Sequence, residues 1–332
     1  MSLLELDESS LAVVGRGGIG TRLLRLLNRY SFGFALLLML ALLAATLIND
    51  SNFGWRDQLA NFAPMALAAM ASTPAIISGG GGFDLSISPL MYLTGEIFIV
   101  WLAVNGLGGA VSVPIILAVG VAIGALNGLL IIILRVPPVV ATLSMYFVLI
   151  GVDLRVAPNP KYLGDNWIHD LAGSVGPVPG ALFTLGFPVV VWLALGLTPY
   201  RRTLYAVGSN DATAFASGVN VAAVRVIAYA LGGMFAAVGG LALIALTSSA
   251  NPSLSSTYTL LAIAAVALGG TSLWGGRGGL LGPMLGAASI YLLGNLLITL
   301  QVDPSYLQVM YGGMLIFAVI LSGMAGRAKV AV

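Results

Sequence analysis

The chain has no cysteine, one histidine and two lysines, and only 8% of its 332 residues are charged. Without cysteine there is no disulfide, no zinc–thiolate site and no thiol catalysis. The one histidine, His169, stands beside Trp167 and Asp170. It cannot build a histidine metal cluster and is expected to be a solvated loop residue. Neither Lys161 nor Lys329 follows a glycine or precedes Ser or Thr, so no Walker A phosphate loop exists in the chain. No catalytic triad, metal cluster or paired-carboxylate site is visible, which argues against an enzyme. The net charge of +2 gives no reason to expect nucleic acid.

What the chain has in abundance is apolar sequence. Hydrophobic residues make up 59% of it and the mean hydropathy is +1.02, whereas an average soluble domain is about 25% charged. This is the composition of an integral membrane protein. A span needs about 20 apolar residues. Apolar stretches with few or no charges, cut at Gly, Pro and Asn clusters, fall at 31–49, 59–78, 86–104, 111–134, 138–156, 180–198, 226–247, 257–270, 279–300 and 306–325. The piece at 257–270 is short and suits a broken or re-entrant segment. Glu5, Asp7 and Glu8 precede any basic residue, unlike a secretory signal, so the first span is expected to stay as an anchor.

Charge placement sets the orientation. With the N-terminus in the cytoplasm, Arg16, Arg22, Arg25, Arg29, Arg135, Arg201, Arg202, Arg225, Arg277, Arg327 and Lys329 fall inside, and only Arg56, Arg155 and Lys161 outside. That distribution obeys the positive-inside rule. The expected fold is therefore an all-α polytopic membrane protein of about ten helices, some short or broken, with both termini cytoplasmic. Residues 1–30 form a cytoplasmic segment, 31–325 the transmembrane domain and 326–332 a cytoplasmic tail. Spans two to five and seven to ten start on opposite sides of the bilayer, as an inverted repeat requires.

Two polar segments interrupt the spans. Residues 157–178 lie outside in this topology. Residues 199–225 form the largest internal loop, and within it Ser209, Asn210 and Asp211 are good N-caps before small helix formers, with Gly218 as a stop. A short helix on the cytoplasmic surface is expected there; an ordinary connecting loop is the alternative.

Seven of the fourteen residues from 269 to 282 are glycine. Flanked by apolar spans, Gly269, Gly270, Gly275 and Gly276 suit a tight reversal and close helix approach, with Thr271 and Ser272 available to satisfy freed backbone groups. A second glycine run precedes Asp84; an acidic group near the membrane should be paired or near water, and the other reading, favoured by the spacing, is that Asp84 or Ser86 caps the third span. Glu96 lies well inside that span. An intramembrane carboxylate is costly, which makes Glu96 a candidate pathway residue; a partnered or protonated carboxyl is the alternative. Asn61, Asn127, Asp153, Asn295 and Gln308 also interrupt apolar runs. Asn127, among small residues, suits close packing. Asn251, after the seventh span, suits a mouth or gate loop.

Four segments carry a resemblance. "GGFDLSIS", "LNGLLIIILRVPPVVATLSM", "AVGSNDATAFASGVNVAAVRV" and "LLAIAAVALGGTSLWGGRGGLLGPMLGA" resemble, in order, motifs of the permease subunits of bacterial monosaccharide ABC importers of the ribose, xylose and arabinose type. The resemblance covers about residues 55–325. It implies a transport subunit of the bacterial inner membrane that binds no cofactor itself. ATP and magnesium would sit in a partner ATP-binding subunit, a periplasmic sugar-binding protein would deliver the substrate, and a second permease, identical or paralogous, would complete a dimer. Asn210, Asp211, Phe215, Ser217 and Gly218 would form the coupling helix that contacts the ATPase. Asp84, Ser86, Glu96, Thr142 and Asn251 would be pathway or gate candidates. Ser88, Glu96 and the pair Asp211–Ala212 depart from the family pattern, which leaves the solute and the identity of the second permease open. The alternatives are a related permease for a branched-chain amino acid, nucleoside or signalling sugar, and an ion-coupled secondary transporter using Asp84, Glu96 and Asp153.

Overall fold

The computed structural model describes residues 33–303 and 305–327. The N-terminal segment 1–30 and residues 328–332 of the tail lie outside them, as do Arg16, Arg22, Arg25, Arg29 and Lys329. The described chain is mostly helical, as the apolar runs require: lipid offers backbone groups no partner, so each span must satisfy its own.

The helices follow the expected stretches closely. They are α1 Gly33–Asn49, α2 Trp55–Ile77, α3 Ile87–Ile97, α4 Ser112–Ile133, α5 Pro138–Val156, α6 Ala181–Gly196, α7 Pro199–Ser209, α8 Asp211–Ala216, α9 Val221–Thr247, α10 Thr259–Leu268, α11 Leu281–Thr299 and α12 Ser305–Arg327. A single wider π turn, Phe98–Ala103, extends α3. Among the described residues five helices (α2, α4, α5, α9 and α11) are long and apolar enough to cross a membrane. A sixth arises if α6 and α7, bent by 90° at their junction, are taken as one span.

Burial sorts these helices into core and periphery. The apolar windows of α2 and α9 are 89% and 78% buried, those of α4 and α5 only 33% and 28%. α2 and α9 are therefore the central pair, while α4 and α5 turn broad apolar faces outward. The α4–α9 contact rests on small residues at every fourth position. A side chain on Gly120, Gly124 or Gly128 would run into the backbone of Gly233, Tyr229 or Val226 respectively. This is the small-residue stripe that lets membrane helices approach closely where no hydrophobic effect drives them together.

α9 is 27 residues long, about 40 Å at 1.5 Å per residue, and it separates the two ends of the molecule. Its start meets α7 and α8. Its far end is covered by a small polar cap, in which β1 Lys161–Tyr162 pairs antiparallel with β4 Ser249–Ala250. A second two-residue ladder joins β2 Ser174–Val175 to β3 Val178–Pro179. Trp167 donates its indole N–H to Gly108 O at 2.6 Å. His169 is not simply solvated: its Nε2 lies 3.0 Å from Gly164 O and its Nδ1 3.2 Å from Ser248 Oγ, which ties the 161–171 segment to the end of α9.

Candidate functional site

The polar segment at 199–225 folds into a bent unit. Pro199 starts α7 at a position where its missing N–H is harmless, and α7 ends at Ser209. Asn210 then adopts extended backbone, and its side chain accepts from Thr213 N at 2.9 Å, capping α8. Gly218, at φ +84°, turns the chain away after α8. The helix spans 211–216, shorter than the 209–217 stretch that the sequence pattern suggests, because α7 has taken Ser209. Asp211 is bound sideways: Arg225 Nη2, on the first turn of α9, donates to its Oδ2 at 2.9 Å. Ser217 Oγ bonds back to Thr213 O at 2.9 Å. Phe215 is 72% exposed, an aromatic ring projecting from a short, capped, ion-paired helix.

The glycine-rich stretches meet directly beneath this unit. The N–H of Gly276 donates to Ile77 O, the last residue of α2, at 2.9 Å. A Cβ on Gly275, at φ +94°, would lie 2.5 Å from Gly79 Cα and 2.9 Å from Gly208 O. A Cβ on Gly79 would in turn meet Gly208 at 2.8 Å. Three backbones from distant parts of the chain thus touch where no side chain fits. Tyr205 adds a bond from its hydroxyl to Gly278 O at 2.6 Å. Gly269 serves elsewhere, pressed against Gly282 so that α10 can pack on α11, and Gly270 turns at φ +74°. Thr271 does not satisfy the freed backbone: its hydroxyl is buried without a partner. Ser272 does so through its main chain, donating to Arg277 O at 3.2 Å.

Deeper in the protein, two helix starts cross. α3 begins at Ile87 and α10 at Thr259, and their first turns exchange bonds. Ser88 Oγ donates to Ser255 O at 2.7 Å, and Thr259 Oγ1 to Leu85 O at 3.4 Å. Ser88 Oγ also accepts from Tyr258 N at 3.0 Å. Beside this crossing, Asp84 Oδ1 accepts from Ser86 N at 2.9 Å and from Ser86 Oγ at 2.6 Å. Asn127 Nδ2, from α4, donates to Ser86 Oγ at 2.8 Å. Thr142 Oγ1, from α5, donates to Phe83 O at 3.1 Å. Ser86 occupies the N-cap position of α3, but its side chain makes no capping bond; it faces Asp84 instead. Asp84, Ser86 and Thr142 are therefore brought together, all within 2% of full burial, and they hold α3, α4 and α5 to one point.

The other two pathway candidates lie apart. Glu96 is about two helical turns beyond Ser88, 1% exposed, and neither of its carboxyl oxygens has a partner. Asp153 on α5 is likewise buried and unpartnered. Asn251 sits by the β1–β4 cap, accepting from Ser253 N at 3.2 Å. Among the described residues no cluster of three or more His, Asp or Glu could hold a metal ion.

Sequence reasoning missed Gly208, Arg225, Ser255 and Thr259. The first contributes only backbone, and the others act across at least 14 residues of chain, a separation that periodicity does not register.

Comparison with known proteins agrees with this architecture. Residues 56–319 match the family described as branched-chain amino acid transport system / permease component. The ribose import permease protein of Escherichia coli K12 is 35% identical over 300 residues, covering 86% of this chain and 92% of that protein. The ribose import permease protein of Bacillus subtilis 168 is 34% identical over 294 residues, covering 87% and 89%. The fructose import permease protein of Rhizobium meliloti is 30% identical over 272 residues, covering 79% and 75%. No solved structure matches the chain.

Proposed function

The chain belongs to the branched-chain amino acid transport system permease component family, and on that footing we propose that it is the membrane-spanning subunit of an ATP-driven importer of a monosaccharide. It is a multi-pass protein of the bacterial inner membrane. The solute class follows from its relatives, which carry ribose and fructose by name. A five- or six-carbon sugar is uncharged, so hydroxyl and amide side chains suffice to pass it.

The observation that carries the reading is α8. α8 is a capped helix with an exposed Phe215, ion-paired to α9 and next to the glycine junction, and in our reading it transmits force. In our reading an ATP-binding subunit receives α8 in a groove and holds the ATP and magnesium. A periplasmic sugar-binding protein delivers the sugar at the β1–β4 end, and a second permease pairs with this one. ATP binding moves α8, and the glycine junction passes the motion to α2 and the 269–282 loop. The pair then exchanges outward- and inward-facing states according to the affinity of each for ATP and for the loaded binding protein.

The chain crosses the membrane ten times in this proposal, with α1, α3, α10 and α12 adding to the long spans. Both termini are cytoplasmic. Arg135, Arg201, Arg202, Arg225 and Arg277 lie toward the α8 end, and Arg155 and Lys161 toward the other, which supports that orientation. The starts of α3 and α10 each donate a side-chain bond to the backbone before the other, Ser88 to Ser255 O and Thr259 to Leu85 O, a crossing that an inverted repeat would produce.

One observation favours a second reading. Unpartnered Glu96 and Asp153 are what a proton- or sodium-coupled transporter would need. Uptake into vesicles separates the two. An importer stops when ATP is withdrawn and ignores collapse of the ion gradients, and an ion-coupled carrier does the reverse.

A further inference from the structure

A cavity of about 340 Å³ opens at the α8 end between the turn after α2, the end of α4 and the starts of α5 and α9. Ser78, Gly79, Gly80, Arg135, Arg225 and Tyr229 are among its walls. Its chemistry is basic. Arg225 is half neutralised by Asp211, yet its Nε is buried without a partner. Arg135 has no ion-pair partner among the described residues. The hydroxyl of Tyr229 is buried at 1% exposure and is also without a partner.

The backbone of Arg135 adds a second observation. It lies just past α4 at φ +54°, the left-handed position where helices ordinarily place glycine. An L-residue there is strained. A cation at a helix C-terminus recovers part of that, but any exposed arginine in the last turn would do so without the strain. What the position gains is a guanidinium over the cavity. With Asp211 engaged by Arg225, Arg135 is left without a counter-ion among the described residues, and an anion in the cavity supplies one.

The surroundings indicate which anion. Ile133 and Leu134 precede Arg135, and Val139 and Val140 follow it; these four are 68%, 62%, 42% and 52% exposed. They form an outward apolar surface on the two helices that are least buried in the protein. A basic pocket between helices with an apolar flank suits a charged headgroup and its acyl chains. We infer that this cavity binds the phosphate headgroup of an anionic phospholipid of the adjoining leaflet, with Arg135 and Arg225 on the phosphate and the α4–α5 surface along the chains. Arg225 then touches the lipid and Asp211 at once, so the headgroup bears on the seating of α8.

The site is tested by native mass spectrometry of the full chain, purified in mild detergent and offered phosphatidylglycerol or phosphatidylcholine. The wild type should retain phosphatidylglycerol preferentially. Arg135→Gln should lower that preference about fivefold, the effect of one charge near a membrane surface, and Arg135→Lys should keep most of it. Tyr229→Phe is the control: the hydroxyl it removes has no surface open to the cavity, so retention should stay at the wild-type level, and a loss equal to that of Arg135→Gln would count against a headgroup held by the arginines. Equal retention of the two lipids by the wild type, or an unchanged preference in Arg135→Gln, would overturn the inference. So would an adduct with millimolar inorganic phosphate that is lost in Arg135→Gln while the lipids bind alike, which would assign the cavity to free phosphate. Each variant is first shown to keep the wild-type melting temperature in phosphatidylcholine, so that loss of fold is not read as loss of lipid.

Discussion

Ser88 and Ser255 are 167 residues apart, and the Ser88 hydroxyl donates to the Ser255 carbonyl at 2.7 Å inside the protein. The same oxygen accepts the Tyr258 N–H. One side chain thus satisfies the Tyr258 N–H, at the start of α10 where no helical acceptor is available, and the Ser255 carbonyl in the turn before it. Thr259 returns the arrangement to Leu85 over a longer distance.

Removing the Ser88 hydroxyl strands both groups in a buried site. Ser88→Ala should cost about 1–3 kcal/mol, read as a lowered thermal midpoint in detergent. Thr259→Ala breaks only a 3.4 Å contact and should cost less. The double variant should fall short of the sum, because both bonds hold the same crossing. Equal or reversed effects would show that the two helix starts are not held in this way.

The glycine junction makes a prediction by contrast. Gly275→Ala places a methyl 2.5 Å from Gly79 Cα, backbone that cannot move aside, and should cost roughly 1–3 kcal/mol for overpacking beyond the left-handed penalty. Gly81→Ala also sits at positive φ, +73°, but meets nothing within 4 Å. It should cost only the conformational term, about 1–2 kcal/mol. Thermal unfolding of the two variants side by side checks the order.

Phe215 separates stability from coupling. At 72% exposed it contributes little to the fold, and Phe215→Ala should change stability by no more than about 0.5 kcal/mol. If it fills a groove of the ATP-binding partner it is an aromatic anchor, whose loss costs about 2 kcal/mol or more of binding. Co-purification of the partner should therefore collapse while the permease still folds. Asp211→Asn should act more mildly. Its pair with Arg225 has side chains 54% and 18% exposed, and pairs of this kind are worth about 0–1 kcal/mol.

Glu96→Gln distinguishes the modes of transport. A buried carboxyl with no partner is costlier to keep than a neutral amide of the same shape. In an ATP-driven importer the variant should be at least as stable as the wild type and should import sugar at a comparable rate. Asp153→Asn should behave alike. Uptake assays in which either change abolishes transport while ATP hydrolysis continues would place the carboxyls in the transport step.

The helices themselves were plain in the sequence. α5 runs from Pro138 to Val156, as the apolar stretch predicts, because Pro137 and Pro138 start it and the segment after Val156 turns polar. The Asn210 cap and the Gly218 turn were legible for the same local reason. Long-range relations were not. Nothing in the spacing of Ser88 points to Ser255, and Arg225 reads simply as a basic residue before a span. The outward faces of α4 and α5 were hidden too, since a helix that is apolar all round carries no moment to orient it. The 90° bend between α6 and α7 falls at Leu197–Thr198, where the apolar run simply ends. Thr271, expected to serve backbone groups, was misjudged because its neighbours satisfy one another first.

The most direct test of the account is a mild-detergent purification of the tagged chain from its native host, with the bound proteins identified by mass spectrometry. The account predicts an ATP-binding subunit in near-stoichiometric amount, lost when Phe215 is replaced by alanine. Recovery of the chain alone, from preparations in which other ATP-driven importers stay assembled, would contradict it.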